Sequence, residues 1–187
     1  MPARPVSIKT SALRWLAQRE HSRSELRIKL LRLVARRAAA RPVAAEVEAA
    51  DVEAADAVAA TTATPTPTTE VDALLAWLES GGHLSQERFI ESRVHARQAR
   101  FGNLRIRHEL RQHGLSLDDA TRQALQQTEL QRAQDVWRKK FKQPAADAAG
   151  RLRQMRFLAG RGFSPEVVRQ VLRGIATGEG EVDDGCG

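Results

Sequence analysis

The 187-residue sequence has one cysteine, Cys186, no tyrosine, and aromatic residues at only 4% of its positions. A single thiol excludes a disulfide framework within one chain and fits a reducing compartment, so a cytoplasmic protein is expected. No run of about 18 apolar residues occurs, which argues against a transmembrane helix and against a membrane partner. Arg14, Arg19 and Arg23 interrupt the early chain before the apolar core of a signal peptide can form, so none is expected. The β-branched alternation that marks strands is missing as well. Catalytic signatures are equally scarce. There is no nucleophile elbow, P-loop or paired-carboxylate constellation. His108 and His113 have the wrong spacing for a metal pair on one helix face, and Cys186 is far from both. These absences set the expectation of a non-enzyme with no cofactor, no metal and no small-molecule substrate.

What is present is alanine, leucine, arginine, glutamate and glutamine, a composition that favours an all-α protein. The net charge is +7 and the pI about 10.6, which suits an acidic partner such as nucleic acid. The charge is also segregated. Glu46, Glu48, Asp51, Glu53 and Asp56 occupy 43–69 with no lysine or arginine, and Glu179, Glu181, Asp183 and Asp184 make the tail acidic. The remaining chain is therefore more basic than the average. Within 38–69 the pentapeptide VEAAD repeats at 47–51 and 52–56 and is followed by ATTATPTPTT. Neither half has much to bury, so a flexible insertion between helices is expected.

The stretch 84–115 reads as two amphipathic helices joined near Phe101-Gly102 and ending at His113-Gly114. Arg93, Arg97 and Arg100 fall at i, i+4 and i+7 on one face of the first helix, flanked by Phe89 on one side and by Ile90, Val94 and Phe101 on the other. The second helix carries Arg105, Arg107 and Arg111. Arginine that borders apolar surface suits a site where the stem packs and the guanidinium meets phosphate or carboxylate. The alternative is a row of structural ion pairs with neighbouring glutamates. Arg27, Lys29 and Arg32 make a second basic patch on an earlier helix. Trp15, Trp77 and Trp137 can stack bases, but each lies in an apolar-periodic helix, where packing explains it.

Four junctions share one grammar. Leu16 precedes Ser22, Leu110 precedes Ser116, and Leu158 precedes Ser164 by six positions; Leu78 and Ser85 are seven apart. This predicts helix, tight turn and serine-capped helix, reused along the chain. Further caps are expected from Ser22 with Glu25, Thr69 with Asp72, and Ser164-Pro165-Glu166. The expected helices span about 9–18, from Ser22 onward, 69–80, the central pair, 116–127, 128–140, 151–159 and 165–175. About nine helices in threes predict an elongated array of three three-helix repeats at 9–84, 85–128 and 129–177. The first is interrupted by the insertion at 38–69, and 1–8 and 178–187 are expected to be disordered.

The segments ALRWLAQREHSRSELRIKL at 12–30, LESGGHLSQERFIESRVHAR at 78–97, RIRHELRQHGLS at 105–116 and RFLAGRGFSPEVVRQVL at 156–172 resemble the RecX family of RecA regulators. The chain differs from the family pattern at His83, at Ser85-Gln86, at Phe101-Gly102 and in its acidic insertion. The resemblance implies a monomeric, non-enzymatic helical protein that lies on the RecA filament on single-stranded DNA. There it limits filament growth, promotes disassembly, and damps recombination and the SOS co-protease activity. Arg93, Arg97, Arg100, Arg105, Arg107 and Arg111, with Arg27, Lys29 and Arg32, are the expected partner or nucleic-acid surface. The alternative is a stand-alone basic helical protein whose helix-turn-helix-like units read duplex DNA.

Overall fold

A computed structural model describes residues 7–40 and 66–176, and every described element is helical. In order they are α1 (Ile8–Leu16), α2 (Arg23–Ala39), α3 (Pro67–Ser80), α4 (Gln86–Gln98), α5 (Asn103–Gln112), α6 (Asp119–Phe141), α7 (Ala148–Gly160) and α8 (Pro165–Ala176). They fall into two compact units, Met1–Gln86 and Glu87–Gly187.

In the first unit Ser7 caps α1 by accepting from the Thr10 N–H at 3.0 Å. Ser22 caps α2 in the same way, accepting from Glu25 at 3.1 Å. Leu26 and Leu30 of the expected stripe are fully buried with Ala12, Val71, Leu75, Leu78 and Leu84. Arg23 pairs with Glu79 and Arg27 with Asp72, so α2 and α3 run antiparallel. The third helix starts earlier than the Thr69–Asp72 pattern suggested. Thr66 is the cap, accepting from the Thr69 N–H at 3.3 Å, because Pro67 at the first helical position presets the backbone. Residues 38–39 likewise continue α2. Of the expected insertion, 41–65 lie outside the described residues, as do 1–6 and 177–187.

The second unit has two apolar centres joined by α6. Phe89, Val94, Ile106, Leu110 and Leu117 surround Leu125 near the start of α6. Leu158, Phe163, Val168 and Val171 surround Ala133, Val136 and Trp137 further along. The helices expected at 116–127 and 128–140 are therefore one continuous helix, which brings the described count to eight rather than nine. No glycine or proline falls between Asp119 and Phe141, and the Thr128 hydroxyl donates back to Ala124 O at 3.1 Å without ending the helix. Its cap is Asp118 rather than Ser116: the carboxylate accepts from the Thr121 N–H at 2.7 Å and from its hydroxyl at 2.8 Å. A charged acceptor facing the positive helix end is the stronger of the two.

The repeated junction has one physical basis at three places. The N–H groups of His83, Leu115 and Phe163 donate to the carbonyls of Leu78, Leu110 and Leu158, five positions back, at 2.9, 3.0 and 3.3 Å. Gly82, Gly114 and Gly162, with φ of 68, 74 and 82°, supply the left-handed residue this closure needs.

Candidate functional site

The turn from α4 to α5 gathers arginine around an aromatic side chain. The guanidinium groups of Arg97, Arg100 and Arg105 lie 5.6, 5.8 and 5.1 Å from the centre of the Phe101 ring. Arg93 sits 5.2 Å from the Phe89 ring, one turn earlier. At these distances the ring faces attract the cations and hold the stems down. Glu109 orients two of them: Arg97 Nε donates to its Oε2 at 2.9 Å and Arg105 Nε to its Oε1 at 3.4 Å. Each bond uses one edge of the guanidinium. Arg93, Arg97 and Arg105 then line a groove of about 400 Å³ with His108, Glu109, Gln112 and His113. Three cations against one carboxylate leave this groove net positive, and it can accept a phosphate or carboxylate group.

The other expected residues lie elsewhere. Arg100 lines a separate cleft with Lys139, Lys140 and Arg161. Arg107 and Arg111 project from another face of α5 and line a groove with Arg122. The six arginines thus divide among three surfaces rather than forming one face. Arg122, Lys139, Lys140 and Arg161 are absent from the sequence-based set because they lie on α6 and beside α7, and no local spacing links them to α4 or α5.

The second basic patch divides too. Arg27 donates through Nε and Nη2 to the two Asp72 oxygens at 2.6 and 3.0 Å, a structural pair between helices. The Arg27 bonds hold the Asp72 carboxyl below its usual range. Lys29 and Arg32, with Arg36, line a cleft beside Trp15, and the Lys29 ammonium is 4.8 Å from the Trp15 ring centre. The step of four from Arg32 to Arg36 was the sequence signal for the added member. Of the three tryptophans, Trp137 is buried, Trp15 packs partly against the core, and Trp77 is 41% exposed under the Lys9 ammonium.

A polar junction fixes the α4–α5 turn against the rest of its unit. Glu129 on α6 is buried, and its Oε1 accepts from the Asn103 N–H at 3.0 Å and the Ser164 N–H at 3.3 Å. One carboxylate thereby serves the starts of α5 and α8, and α5 has no side-chain cap of its own. Arg132, one turn on, donates to the carbonyls of Gln98, Phe101 and Leu125 and to Asn103 Oδ1. Burial pushes its guanidinium below its ordinary pKa, and the Glu129 charge opposes that shift. Gly102 and Leu104 donate to the Arg161 and Gly162 carbonyls, both at 3.0 Å. A Cβ at Gly102 would lie 2.3 Å from the Gly162 oxygen, so only glycine permits this approach.

Among the described residues no group of three or more His, Cys, Asp or Glu is placed to hold a metal, and no helix is long and apolar enough to cross a membrane. Helices closed by glycine turns, one of them shared by two apolar centres, and arginine-lined grooves define an all-helical tandem-repeat protein. Family comparison agrees in detail. Residues 85–127 match the second three-helix domain of RecX, and 127–172 match the third, so the domain boundary falls inside α6. The regulatory protein RecX of Ralstonia nicotianae is 39% identical over 188 residues, covering 99% of this chain and 96% of that protein. The regulatory protein RecX of Leptothrix cholodnii is 42% identical over 170 residues, covering 90% and 88%. That of Herminiimonas arsenicoxydans is 41% identical over 170 residues, covering 90% and 92%. The chain belongs to the RecX family.

Proposed function

We propose that this chain is a non-enzymatic inhibitor of RecA, acting as a cytoplasmic monomer on the RecA filament assembled on single-stranded DNA. Bound there, it limits filament growth and promotes disassembly, which damps recombination and SOS co-protease activity. Three three-helix units, at 9–84 (interrupted by the insertion), 85–128 and 129–177, provide the scaffold. The observation that carries the reading is the groove of Arg93, Arg97 and Arg105, braced by Glu109 in a chain whose relatives are named regulatory proteins. Such a groove suits the phosphates of a nucleoprotein filament, whether DNA is touched directly or RecA carboxylates are met instead.

The test is the rate of RecA's single-strand-dependent ATP hydrolysis with this protein added at well below one copy per RecA protomer. A fall in rate larger than the molar ratio is the expected result, since a protein that blocks growth acts on many protomers at once. Unchanged hydrolysis, together with tight binding to bare duplex DNA, would transfer the chain to the helix-turn-helix reading.

A further inference from the structure

Arg107 and Arg111 are surplus to the Arg93–Arg97–Arg105 groove, and their surroundings differ in chemistry. They rim a separate groove of about 580 Å³ between α5 and the start of α6, closed on the other side by Arg122. Its floor is aliphatic: Leu104, Leu110, Leu115 and Leu117. Leu104 is 41% exposed, an apolar side chain of the groove lining left in solvent. Arg122 is held in position, since it donates to Asp119 Oδ1 at 2.5 Å and to Leu117 O at 3.1 Å. Arg107 and Arg111 have no carboxylate partner among the described residues. A separate, smaller cavity shares Leu104, Arg107, Leu117 and Arg122 with it and is lined on the α8 side by Ser164, Gln170 and the carboxylates Glu129 and Glu166, so the acidic ligand is confined to the Arg107–Arg111 groove.

We propose that this groove docks an acidic segment of a partner protein, whose aliphatic side chain covers Leu104 while its carboxylates engage Arg107 and Arg111. Two features select a peptide over nucleic acid. No aromatic side chain lines the groove, so bases have no stacking platform, unlike the surface around Phe101. An aliphatic floor gains from burying an aliphatic group, which a sugar-phosphate backbone lacks. Guanidinium forks meet carboxylates in a bidentate fashion. The inference rests on the regulator reading to the extent that it supplies that regulator's protein contact. It assigns Arg93, Arg97 and Arg105 to a phosphate-facing set and Arg107 and Arg111 to a carboxylate-facing set, with Arg100 in neither.

The test uses the full chain and two fluorescent probes: a decapeptide of alternating glutamate and leucine, and an oligothymidylate. Leu104→Ser should weaken peptide binding by about fivefold, and Arg107→Glu with Arg111→Glu by tenfold or more, as expected for lost apolar cover and reversed charge. Oligothymidylate binding should change by less than about twofold in Leu104→Ser. A peptide with serine for leucine should bind wild type more weakly and ignore Leu104→Ser. All three substituted positions are exposed, and an unchanged circular-dichroism melt verifies folding. Peptide binding indifferent to Leu104, or an oligothymidylate that displaces the peptide and is lost in parallel, overturns the proposal. Damped RecA hydrolysis with no Leu104-dependent peptide binding sinks the groove and spares the regulator. Leu104-dependent peptide binding with unaffected RecA does the reverse.

Discussion

Glu109 is the carboxylate on which the positions of Arg97 and Arg105 both depend, and it remains only 16% exposed. Reversing both arginines would set three like charges together, so Arg97→Gln with Arg105→Gln is the cleaner change. If each guanidinium meets a phosphate, the slope of log K against log salt for oligothymidylate should flatten by about 0.7 per lost contact. Titrations across a salt series measure this, and an unchanged slope removes the pair from the phosphate-facing set. A second residue-scale prediction concerns His21, buried with Nδ1 at 3.3 Å from Glu25. Burial, then the Arg19 charge, lowers its pKa from 6.5, against the pull of Glu25, while the Lys29 charge lowers it further. The unfolded chain therefore binds the proton more readily. Stability from this site is complete above 6.5 and is lost as pH falls from there toward the folded value. Burial pushes Glu25 upward, but its hydrogen bond with Arg19 and the His21 charge prevail, so its own contribution is lost only below 4.5. Melting temperatures should drop between about pH 7.5 and about pH 5.5, and drop less in His21→Gln.

At the scale of elements, the junction built on Glu129 decides how α5 and α8 begin. Truncation removes the acceptor of the buried Asn103 N–H, which starts a helix with no side-chain cap, and of the part-buried Ser164 N–H. Glu129→Ala should reduce unfolding stability by about 3 kcal/mol, measured by denaturant titration, while Glu129→Gln, which keeps an acceptor, should cost about 1 kcal/mol. Equal effects of the two substitutions would mean that acceptor geometry is not what Glu129 supplies. Local signals foretold the elements themselves unevenly. The leucine–glycine turns were legible because the closing hydrogen bond spans five positions. Ser116 and Asp118 were both chemically able to cap α6, and spacing favoured the serine. The structure selects Asp118 because its carboxylate takes both Thr121 groups. The continuity of α6 was not legible either, since Thr128 is a weak signal that reads as a start only when its tertiary neighbours are unknown.

At the scale of the whole molecule, the antiparallel pairing of α2 and α3 brings the end of one and the start of the other to the same end of the first unit. A short link between them therefore suffices. Replacing 41–65 with about eight glycine and serine residues should leave the melting temperature within about 2 °C, since loop closure changes by only about 0.6 kcal/mol per doubling of length. A large drop would mean that the acidic segment contributes to the fold.

Composition, apolar period and turn chemistry by themselves determined that this chain is all-helical, where most of its helices lie, and that its basic residues gather on α2, α4 and α5. Those properties act through neighbours a few positions away, so they are written in the order of the residues. Only the tertiary structure decided which arginine belongs to which groove, that Arg27 is committed to Asp72, and that one carboxylate starts two helices. Those outcomes depend on partners 45 positions apart for Arg27 and Asp72, 26 for Asn103 and Glu129, and 61 for Arg161 and Arg100. Packing of apolar faces brings such partners together, and the period of a single helix carries no record of what another helix will place beside it.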